Sequence, residues 1–293
     1  MRFRTATALA ALAVAGTLVL SGCTDSDAEP DPGDTGGGET VPFEDGTTMA
    51  ELAAAGEITI GTKFDQPLFG LEGPNGPEGF DVEVGKIIAR HLGIAEGDIE
   101  WIESQSANRE PYIESGQVDI VIATYTINDA RKEIISFAGP YYIAGQDILV
   151  PAGNELGITG PEWFTDNPDA TICTVTGSTS LENISAYTSN ILEAGGYADC
   201  LEPIRAGNAV ALTTDNVILA GLAAQNAPEF EVLNAPFTEE PYGIGLAHDD
   251  TEFRMWINDV LEASYEDGSW AAAWEATAGV ALPLPEPPAV DRY

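Results

Sequence analysis

Hydrophobic and polar positions along the chain follow two periodicities in turn, one typical of strands and one typical of helices. Short apolar runs that indicate strands stand at 57–62, 99–103 and 118–123. Apolar residues recur at helical spacing over 80–92, and a second helix is predicted at 108–115. Because strands and helices alternate, we expect an α/β fold with a mainly parallel sheet covered by helices.

A second set of alternating elements follows a break in the pattern at Pro151. An extended segment at 146–150 precedes this proline and crosses from the first set to the second. The later elements are predicted to be helices from 181, at 205–212, at 217–224 and at 252–265, with strands at 170–175, 213–215, 230–233 and 240–247. The pattern therefore predicts two α/β units joined by extended segments.

The charge of the chain is strongly one-sided. Its 293 residues include 11 Lys and Arg against 48 Asp and Glu, for a formal net charge of −37 at pH 7. So acidic a chain offers no basic patch to nucleic-acid phosphates, and anionic membrane surfaces repel it. We therefore exclude nucleic acid as a partner, and we treat any Lys or Arg inside a motif as a candidate for a specific role.

The N-terminus has the features of an export signal. Arg2 and Arg4 precede the apolar run 6–20, which is too short for a transmembrane span. The Leu-Ser-Gly-Cys sequence at its end resembles the bacterial lipobox, whose cysteine becomes the first mature residue and carries a diacylglyceryl group. This resemblance implies a lipoprotein signal peptide at 1–22 and lipidation of Cys23, whereas the alternative is a plain secreted protein.

A polar segment separates this signal from the first predicted strand. Residues 23–48 are rich in Asp, Glu, Gly and Pro, a composition that cannot bury a core. We expect a disordered acidic tether here, with the folded part beginning near Met49. The protein should thus be held at the extracytoplasmic face of the cell membrane, and only through the lipid on Cys23.

The most informative segment for chemistry is 119–142. Its apolar strand runs into Thr124, Tyr125 and Thr126, and a polar turn with Arg131 follows. In open α/β sheets, ligands bind at the carboxyl ends of the strands. A guanidinium binds both oxygens of a carboxylate at once, so the segment predicts a carboxylate site. The alternative for Arg131 is an exposed side chain on a helix.

Two cysteines remain in the predicted mature chain, Cys173 and Cys200. Export permits a disulfide and the even number favours one, which would stabilise the fold by roughly 3–4 kcal/mol; two free buried thiols are the alternative. The two histidines, His91 and His248, are far apart in sequence, and neither they nor the cysteines have metal-ligand spacing. We expect no metal and no cofactor.

Six motifs in a fixed order resemble the polar amino acid group of bacterial solute-binding proteins, family 3. They are EITIGTKFDQPLFG, EGFDVEVGKIIARHLG, ANREPYIESGQVDIVIATYTINDARKEIISFAGPYY, TVTGSTS, TDNVILAG and EPYGIGLA. Within the family they are most similar to actinobacterial glutamate-binding lipoproteins. The resemblance implies a type II periplasmic-binding-protein-like fold, in which two lobes close around a ligand about a hinge of two crossing strands. Lobe 1 would comprise 49–148 and 240–293, and lobe 2 would comprise 149–239.

The resemblance also implies roles for individual residues. Arg131 would bind the ligand α-carboxylate with help from Thr126, and the Thr124 carbonyl would accept from the α-ammonium group. On lobe 2, Asp215 would bind the ammonium group, with a turn or helix cap as its alternative role. Ser178 and Thr179 lie where a strand ends and a helix begins, so their free N–H groups favour an anion there.

The residues expected to choose between amino acids lie elsewhere. Lys63 stands where many family members carry an acidic residue, so it favours an anionic ligand side chain; the alternative is a cation at the cleft rim. Arg109 is a second candidate for the distal carboxylate, or else a structural residue. Phe64 or Tyr125 is expected to pack on the methylene stem of the ligand.

These observations predict a lipid-anchored, monomeric solute-binding protein that captures glutamate or aspartate and delivers it to the permease of an ABC importer. Glutamine, asparagine or another polar amino acid is the alternative ligand. Two alternatives come from other classes, namely a dehydratase-like enzyme on the same fold and an amino-acid sensor. No Ser/His/Asp set or phosphate-binding glycine loop supports an enzyme, so we expect the protein to have no enzymatic activity.

Overall fold

The computed structural model describes residues 43–293. The predicted signal peptide at 1–22, the predicted lipid-bearing Cys23 and residues 23–42 of the tether lie outside this range, so these remain predictions. Among residues 43–293, no helix combines the length and apolar character that a bilayer span requires.

The folded part begins earlier than Met49, because the last residues of the predicted tether find partners. Phe43 packs edge-to-face on Trp256, with 5.7 Å between the ring centroids. The Thr47 hydroxyl accepts a hydrogen bond from the Ala50 amide and caps the first helix. Residues 43–48 therefore belong to the ordered body.

Two lobes follow one another along the chain, and the chain returns to the first at its end. The first lobe contains α1 (Thr48–Ala55), β1 (Ile58–Thr62), β2 (Asp65–Gln66), β3 (Gly70–Gly73), β4 (Gly76–Glu78), α2 (Phe80–His91), β5 (Ile99–Glu103), α3 (Arg109–Glu114), β6 (Ile120–Val121), α4 (Asp129–Lys132) and β7 (Ser136–Ala144). The second contains β8 (Gln146–Pro151), α5 (Glu162–Asp166), β9 (Ile172–Val175), α6 (Thr179–Ile184), β10 (Ile191–Ala194), α7 (Leu201–Arg205), β11 (Ala211–Asp215), α8 (Asn216–Gln225) and β12 (Phe230–Val232). The last elements, β13 (Glu240–Leu246), α9 (Thr251–Asp267) and α10 (Ser269–Ala276), complete the first lobe.

Each lobe is built on one five-stranded sheet. The strand order is β5-β1-β6-β13-β7 in the first and β10-β9-β11-β8-β12 in the second, while β2, β3 and β4 form a small separate sheet. Strand β1 pairs in parallel with β5 and β6, and β9 pairs in parallel with β10 and β11. Strand β8 pairs antiparallel with β11, and β13 pairs antiparallel with β6. The predicted two-lobed α/β fold is confirmed.

The two crossings between the lobes touch each other. The first passes from β7 to β8 at Gly145, and the second returns from β12 to β13. A Cβ atom on Gly145 would lie 2.8 Å from the Thr238 carbonyl oxygen, so only glycine allows this approach. Hydrogen bonding changes sheets at Gly145, three residues before the predicted lobe boundary at 148, because β8 pairs within the second sheet from Gln146 onward.

One predicted helix is wrong. The segment 205–212 is divided between the end of α7 at Arg205 and the start of β11 at Ala211. Gly207 has a positive φ of 75°, which ends the helix, and the apolar residues after it pair with β8 and β9. The apolar residues have helical spacing, but pairing of β11 between β8 and β9 makes this part of the segment a strand. The sequence pattern likewise predicted no strands at the small sheet β2–β4.

The predicted disulfide is confirmed. Cys173 in β9 is bonded to Cys200, with 5.6 Å between the Cα atoms, and both residues are fully buried. The bond joins the strand that leads to Thr179 to the turn before α7. It therefore anchors one wall of the second lobe near the expected ligand site.

The segment after α10 packs along β7, which is an edge strand of the first sheet. The Phe137 amide donates to the Tyr293 hydroxyl at 2.8 Å, and the Asp291 amide donates to the Gly139 carbonyl at 2.7 Å. Lys132 of α4 bonds to the Asp291 carboxylate at 3.1 Å. The tail thus covers part of an open sheet edge and holds the helix that carries Arg131.

Candidate functional site

The predicted binding residues converge on the cleft between the lobes. In the first lobe, Thr124 and Thr126 follow β6, and Arg131 lies in α4. In the second lobe, Thr179 begins α6 and Asp215 ends β11. Because β1 and β6 are parallel, as are β9 and β11, the segments after their carboxyl ends gather at one edge of each sheet. The fold therefore brings these five residues together.

Arg131 is held in place by contacts on three sides. The side chain of Asn128 caps α4 by accepting from the Arg131 amide, and the residue is 7% exposed. Its Nη1 donates to the Thr126 carbonyl at 2.6 Å, and its Nε is 3.2 Å from Glu110 Oε1. The guanidinium is thus oriented by the protein before any ligand arrives. The sequence did not point to Glu110, although its place beside Arg109 was the available signal.

The two lobes touch across the cleft in this structure. The Thr126 and Thr179 hydroxyls are 3.3 Å apart, and the Tyr197 amide donates to Asp65 Oδ2 at 2.7 Å. A Cβ atom on Gly177 would lie 2.9 Å from the Ala107 Cα, so a larger residue would hold the lobes apart. The arrangement is therefore a closed one, with residues of both lobes in contact across the cleft.

Two further cations lie beside Arg131 in the first lobe. Lys63, at the end of β1, is 3% exposed, and its Nζ donates to Ser106 Oγ at 2.9 Å. Arg109 is also 3% exposed and donates through Nε to the Ser106 carbonyl and through Nη1 to the Ala123 carbonyl. Arg109 therefore has a structural role on the backbone, whichever ligand contact it also makes. Lys63 is buried inside the cleft rather than at its rim.

Burial, and secondly the mutual repulsion of the cations, disfavours the charged forms of Lys63 and Arg109. Burial and the charge of Arg109 lower the pKa of Lys63 to about 7. Burial and the charge of Arg131 lower the pKa of Arg109 to about 10. Each cation therefore gains when a negative group enters the space between them.

Asp215 presents a carboxylate on the opposite wall. It is 4% exposed, and its Oδ2 accepts from the Tyr242 hydroxyl at 2.6 Å. Its Oδ1 has no hydrogen-bond partner among residues 43–293. Burial and the nearby Glu240 raise the pKa of Asp215 to about 7. Such a group gains from a cationic partner. The alternative role of the Asp215 side chain as a helix cap is not supported, because it makes no capping hydrogen bond to α8.

Thr124 is held in an unusual backbone conformation by a buried carboxylate. Its φ is 45°, its amide donates to Asp81 Oδ2 at 2.7 Å, and its hydroxyl donates to Gln66 Oε1 at 2.9 Å. The Tyr141 hydroxyl donates to the other Asp81 oxygen at 2.6 Å. Asp81 was missed from the sequence, where a lone acid between Phe80 and Val82 was the signal.

Three other predicted residues take different positions. The Ser178 hydroxyl donates to the Val175 carbonyl and accepts from the Leu181 amide, so it caps α6. Tyr125 is fully buried beneath Arg109 and Arg131, whose Cζ atoms lie 4.1 and 4.9 Å from its ring centroid. It therefore supports the cations from below, which leaves half-buried Phe64 as the aromatic candidate for contact with a ligand stem. Within the described part of the chain, no group of three His, Cys, Asp or Glu is arranged to hold a metal ion.

Comparison with known proteins agrees with this arrangement. A model of the bacterial extracellular solute-binding proteins, family 3, matches residues 58–276. The chain is 37% identical over 280 residues to the glutamate-binding protein GluB of Corynebacterium efficiens, covering 91% of this chain and 88% of that protein. It is 34% identical over 250 residues to the glutamine-binding protein of Geobacillus stearothermophilus, covering 84% and 93%.

Solved structures show the same architecture. The solute receptor for L-cysteine of Neisseria gonorrhoeae superposes with a TM-score of 0.73 at 29% identity, covering 80% of this chain and 95% of that one. An ancestral arginine-binding protein bound to glutamine superposes with a TM-score of 0.69 at 28% identity, covering 76% and 97%. The family is one of solute-binding proteins rather than enzymes, as predicted. The chain therefore belongs to the bacterial extracellular solute-binding proteins of family 3.

Proposed function

We propose that this protein captures an acidic amino acid, L-glutamate foremost, by closing its two lobes around it. One observation carries the proposal. Three buried cations of the first lobe, Lys63, Arg109 and Arg131, cluster opposite the buried carboxylate of Asp215 on the second lobe. An α-amino acid with an anionic side chain carries two carboxylates and one ammonium group, which is the complementary pattern of charge.

In this proposal the two ends of the ligand are bound by different residues. Arg131 binds the α-carboxylate through its planar fork, with the Thr126 and Thr179 hydroxyls beside it. Asp215 and the Thr124 carbonyl accept from the α-ammonium group. Lys63, with Arg109 behind it, binds the side-chain carboxylate. Because these groups come from both lobes, a bound ligand stabilises the closed arrangement over an open one.

The acidic surface of the protein does not oppose an anionic ligand. Charges beyond roughly 8 Å are screened at physiological ionic strength. A cation about 4 Å from a carboxylate contributes on the order of 4 kcal/mol at an effective dielectric of about 20, before desolvation. The near cations of the cleft therefore outweigh the distant surface carboxylates.

Glutamine is the alternative ligand. The relatives include both glutamate-binding and glutamine-binding proteins, at 37% and 34% identity. Glutamine has the same length and the same α-groups, but its side-chain amide carries no charge. A side-chain carboxylate beside Lys63 would offset the burial and the Arg109 charge that lower its pKa, whereas a neutral amide would not, which favours glutamate.

Replacing Lys63 by methionine tests the specificity. Methionine keeps a straight apolar stem but removes the charge, so we expect the dissociation constant for L-glutamate to rise at least tenfold and that for L-glutamine to change less than threefold. Isothermal titration calorimetry on the purified domain measures both. Lys86→Met is the matched control, because Lys86 lies on α2 and pairs with Glu83 outside the cleft.

Two outcomes would contradict the proposal at different levels. Equal losses for glutamate and glutamine in Lys63→Met would remove the basis for glutamate specificity while leaving amino-acid binding intact. Tighter binding of lysine or arginine than of glutamate to the unaltered protein would contradict the whole assignment of charges in the cleft.

We further propose that the protein is lipid-anchored at Cys23 and delivers its ligand to an ABC importer from the extracytoplasmic face of the cell membrane. The lipobox-like sequence and the family relationship support this proposal. Changing Cys23→Ala should move the protein from the membrane fraction to the soluble fraction, as judged by immunoblotting after detergent-free fractionation. An unchanged distribution would exclude anchoring through this cysteine.

A further inference from the structure

Two buried carboxylates lie next to the first crossing between the lobes, and each has one oxygen without a partner. Asp215 ends β11 and Glu240 begins β13, and they are 4% and 3% exposed. Asp215 Oδ2 accepts from the Tyr242 hydroxyl at 2.6 Å. Glu240 Oε1 accepts from Thr238 Oγ1 at 2.8 Å and from Asn183 Nδ2 at 3.0 Å. Within residues 43–293, Asp215 Oδ1 and Glu240 Oε2 have no hydrogen-bond partner.

The sheet registers place the two carboxylates on the same side of the crossing. Asp215 pairs with Gln146, and Glu240 pairs with Ala144, on either side of Gly145. Residues two apart in an extended segment face the same side, and so do directly paired residues on neighbouring strands. Strand β13 supports this placement, because Glu240 and Tyr242 are two residues apart and face the same side of the strand, and the Tyr242 hydroxyl donates to Asp215 Oδ2 at 2.6 Å.

The negative charge of this pair of carboxylates is not neutralised by a direct ion pair within the described part of the chain. No ion pair joins Asp215 or Glu240 to any Lys, Arg or His among residues 43–293. The charges of Arg109 and Arg131 act on Asp215 without direct contact, because Arg109 bonds to backbone carbonyls and Arg131 pairs with Glu110. A buried carboxylate oxygen without a donor costs about 1–3 kcal/mol or more. Burial and the charge of Glu240 together raise the pKa of Asp215, so the two groups repel each other. A cation between them would remove both penalties.

We propose that Glu240 is a second carboxylate for the ligand α-ammonium group, which it binds together with Asp215. An ammonium group has three N–H donors, and Asp215 Oδ1, Glu240 Oε2 and the Thr124 carbonyl supply three acceptors for them. The inference rests on the proposed function, since it assigns a further residue to the same ligand. It adds a ligand contact made by Glu240, the first residue of the returning strand β13.

This placement gives Glu240 a part in closure as well as in binding. Asp215 belongs to the second sheet, whereas β13 pairs within the first sheet. Asn183, which donates to Glu240, lies in the same short helix as Thr179. An ammonium group held by both carboxylates therefore connects the end of β11, the returning strand and the helix that meets Thr126.

The test compares two ligands that differ only in the group that Glu240 is proposed to bind. L-Glutamate carries the α-ammonium group, and L-2-hydroxyglutarate carries a neutral hydroxyl in its place. In Glu240→Gln we expect the dissociation constant for glutamate, from titration calorimetry, to rise at least tenfold. The constant for hydroxyglutarate, from competition at millimolar concentration, should change less than twofold, so the preference for the ammonium group shrinks at least fivefold.

A matched variant separates ligand contact from support of the hinge. Asn183→Ala removes a donor to Glu240 but keeps its charge, so the preference for glutamate over hydroxyglutarate should remain within twofold of the unaltered protein. If thermal denaturation shows that Glu240→Gln is not folded, Glu240→Asp replaces it in the same comparison. The shorter side chain withdraws the carboxylate by one methylene, so it should also weaken the binding of glutamate more than that of hydroxyglutarate.

The result that overturns the inference is equal weakening of both ligands in the Glu240 variant, or no weakening of either, because Glu240 would then act on the hinge alone. Failure of the proposed function looks different. If the unaltered protein binds another α-amino acid instead of glutamate, the same comparison is made with that amino acid and its hydroxy analogue. If Asp215→Asn also leaves binding unchanged, the α-amino-acid assignment itself is wrong.

Discussion

Replacing Arg131 by alanine is expected to abolish high-affinity binding of the amino acid. Its guanidinium is 7% exposed and is oriented by the Thr126 carbonyl and by Glu110, so it presents a fixed fork to the α-carboxylate. Two charge-assisted hydrogen bonds at about 1.5–3 kcal/mol each amount to a loss of about a hundredfold to ten-thousandfold in affinity. The variant also leaves the Glu110 carboxylate without its cation, which adds negative charge beside the proposed carboxylate site.

Titration calorimetry with L-glutamate measures this loss, and two further variants locate its cause. Arg131→Lys keeps the charge without the planar fork, so it should bind more weakly than the unaltered protein and more tightly than Arg131→Ala. Arg205→Ala removes an arginine that pairs with Glu202 and Glu229 on the surface of the second lobe, and it should stay within twofold of the unaltered protein. An Arg131→Ala protein that binds glutamate within tenfold of the unaltered one would show that the α-carboxylate lies elsewhere.

Removing the disulfide is expected to have the largest effect on stability. The bond between Cys173 and Cys200 spans a sequence separation of 27 residues. The loop-entropy relation then assigns it about 3.5 kcal/mol, which corresponds to a fall of roughly 7–14 °C in melting temperature for a domain of this size. The Cys173→Ala/Cys200→Ala double variant should show this fall in differential scanning calorimetry.

Reducing agent provides the control for this experiment. It should lower the melting temperature of the unaltered protein by a similar amount and leave that of the double variant unchanged. We expect the double variant to lose little glutamate affinity at temperatures where it is folded. The reason is that β9 remains paired with β10 and β11 and so still positions Thr179. A double variant as stable as the unaltered protein would contradict the assigned contribution.

The two effects act on different parts of the same cleft. Arg131 and its supports lie wholly in the first lobe, apart from a 3.5 Å approach of Nη2 to the Gly177 carbonyl. The disulfide anchors the second lobe, which contributes Thr179 and Asp215. Loss of Arg131 therefore removes a ligand contact, whereas loss of the disulfide loosens the wall that closes on the ligand.

Local pattern was sufficient to predict most of the secondary structure. The strand at 99–103 was predicted to the residue, and the helix at 80–92 within one residue, because the apolar residues of each segment have the spacing of that element. The helix at 205–212 was predicted wrongly, since apolar spacing cannot distinguish a buried strand from a short helix. The strands β2–β4 were missed because they are only two to four residues long and contain glycine and proline instead of alternating apolar residues.

The residues of the candidate site likewise include some that the sequence predicted and some whose position it did not. Arg131 and Asp215 could be predicted, because each follows a strand whose carboxyl end must face the cleft in this kind of sheet. Tyr125 also follows such a strand, yet its ring is fully buried beneath two guanidinium groups. The direction of one side chain among three consecutive residues depends on backbone turns, such as the positive φ of Thr124, which spacing does not reveal.

The sequence by itself determined the alternation of strands and helices, the scarcity of cations and the motif order that identify the family. Only the tertiary structure decided which carboxylates stand near which cations. Asp81, Glu110 and Glu240 are ordinary acids among 48 in the sequence, and they acquire their significance by burial against Thr124, Arg131 and Asp215. The reason is physical, since the energy of a charge depends on its distance from other charges and from water, and folding sets both.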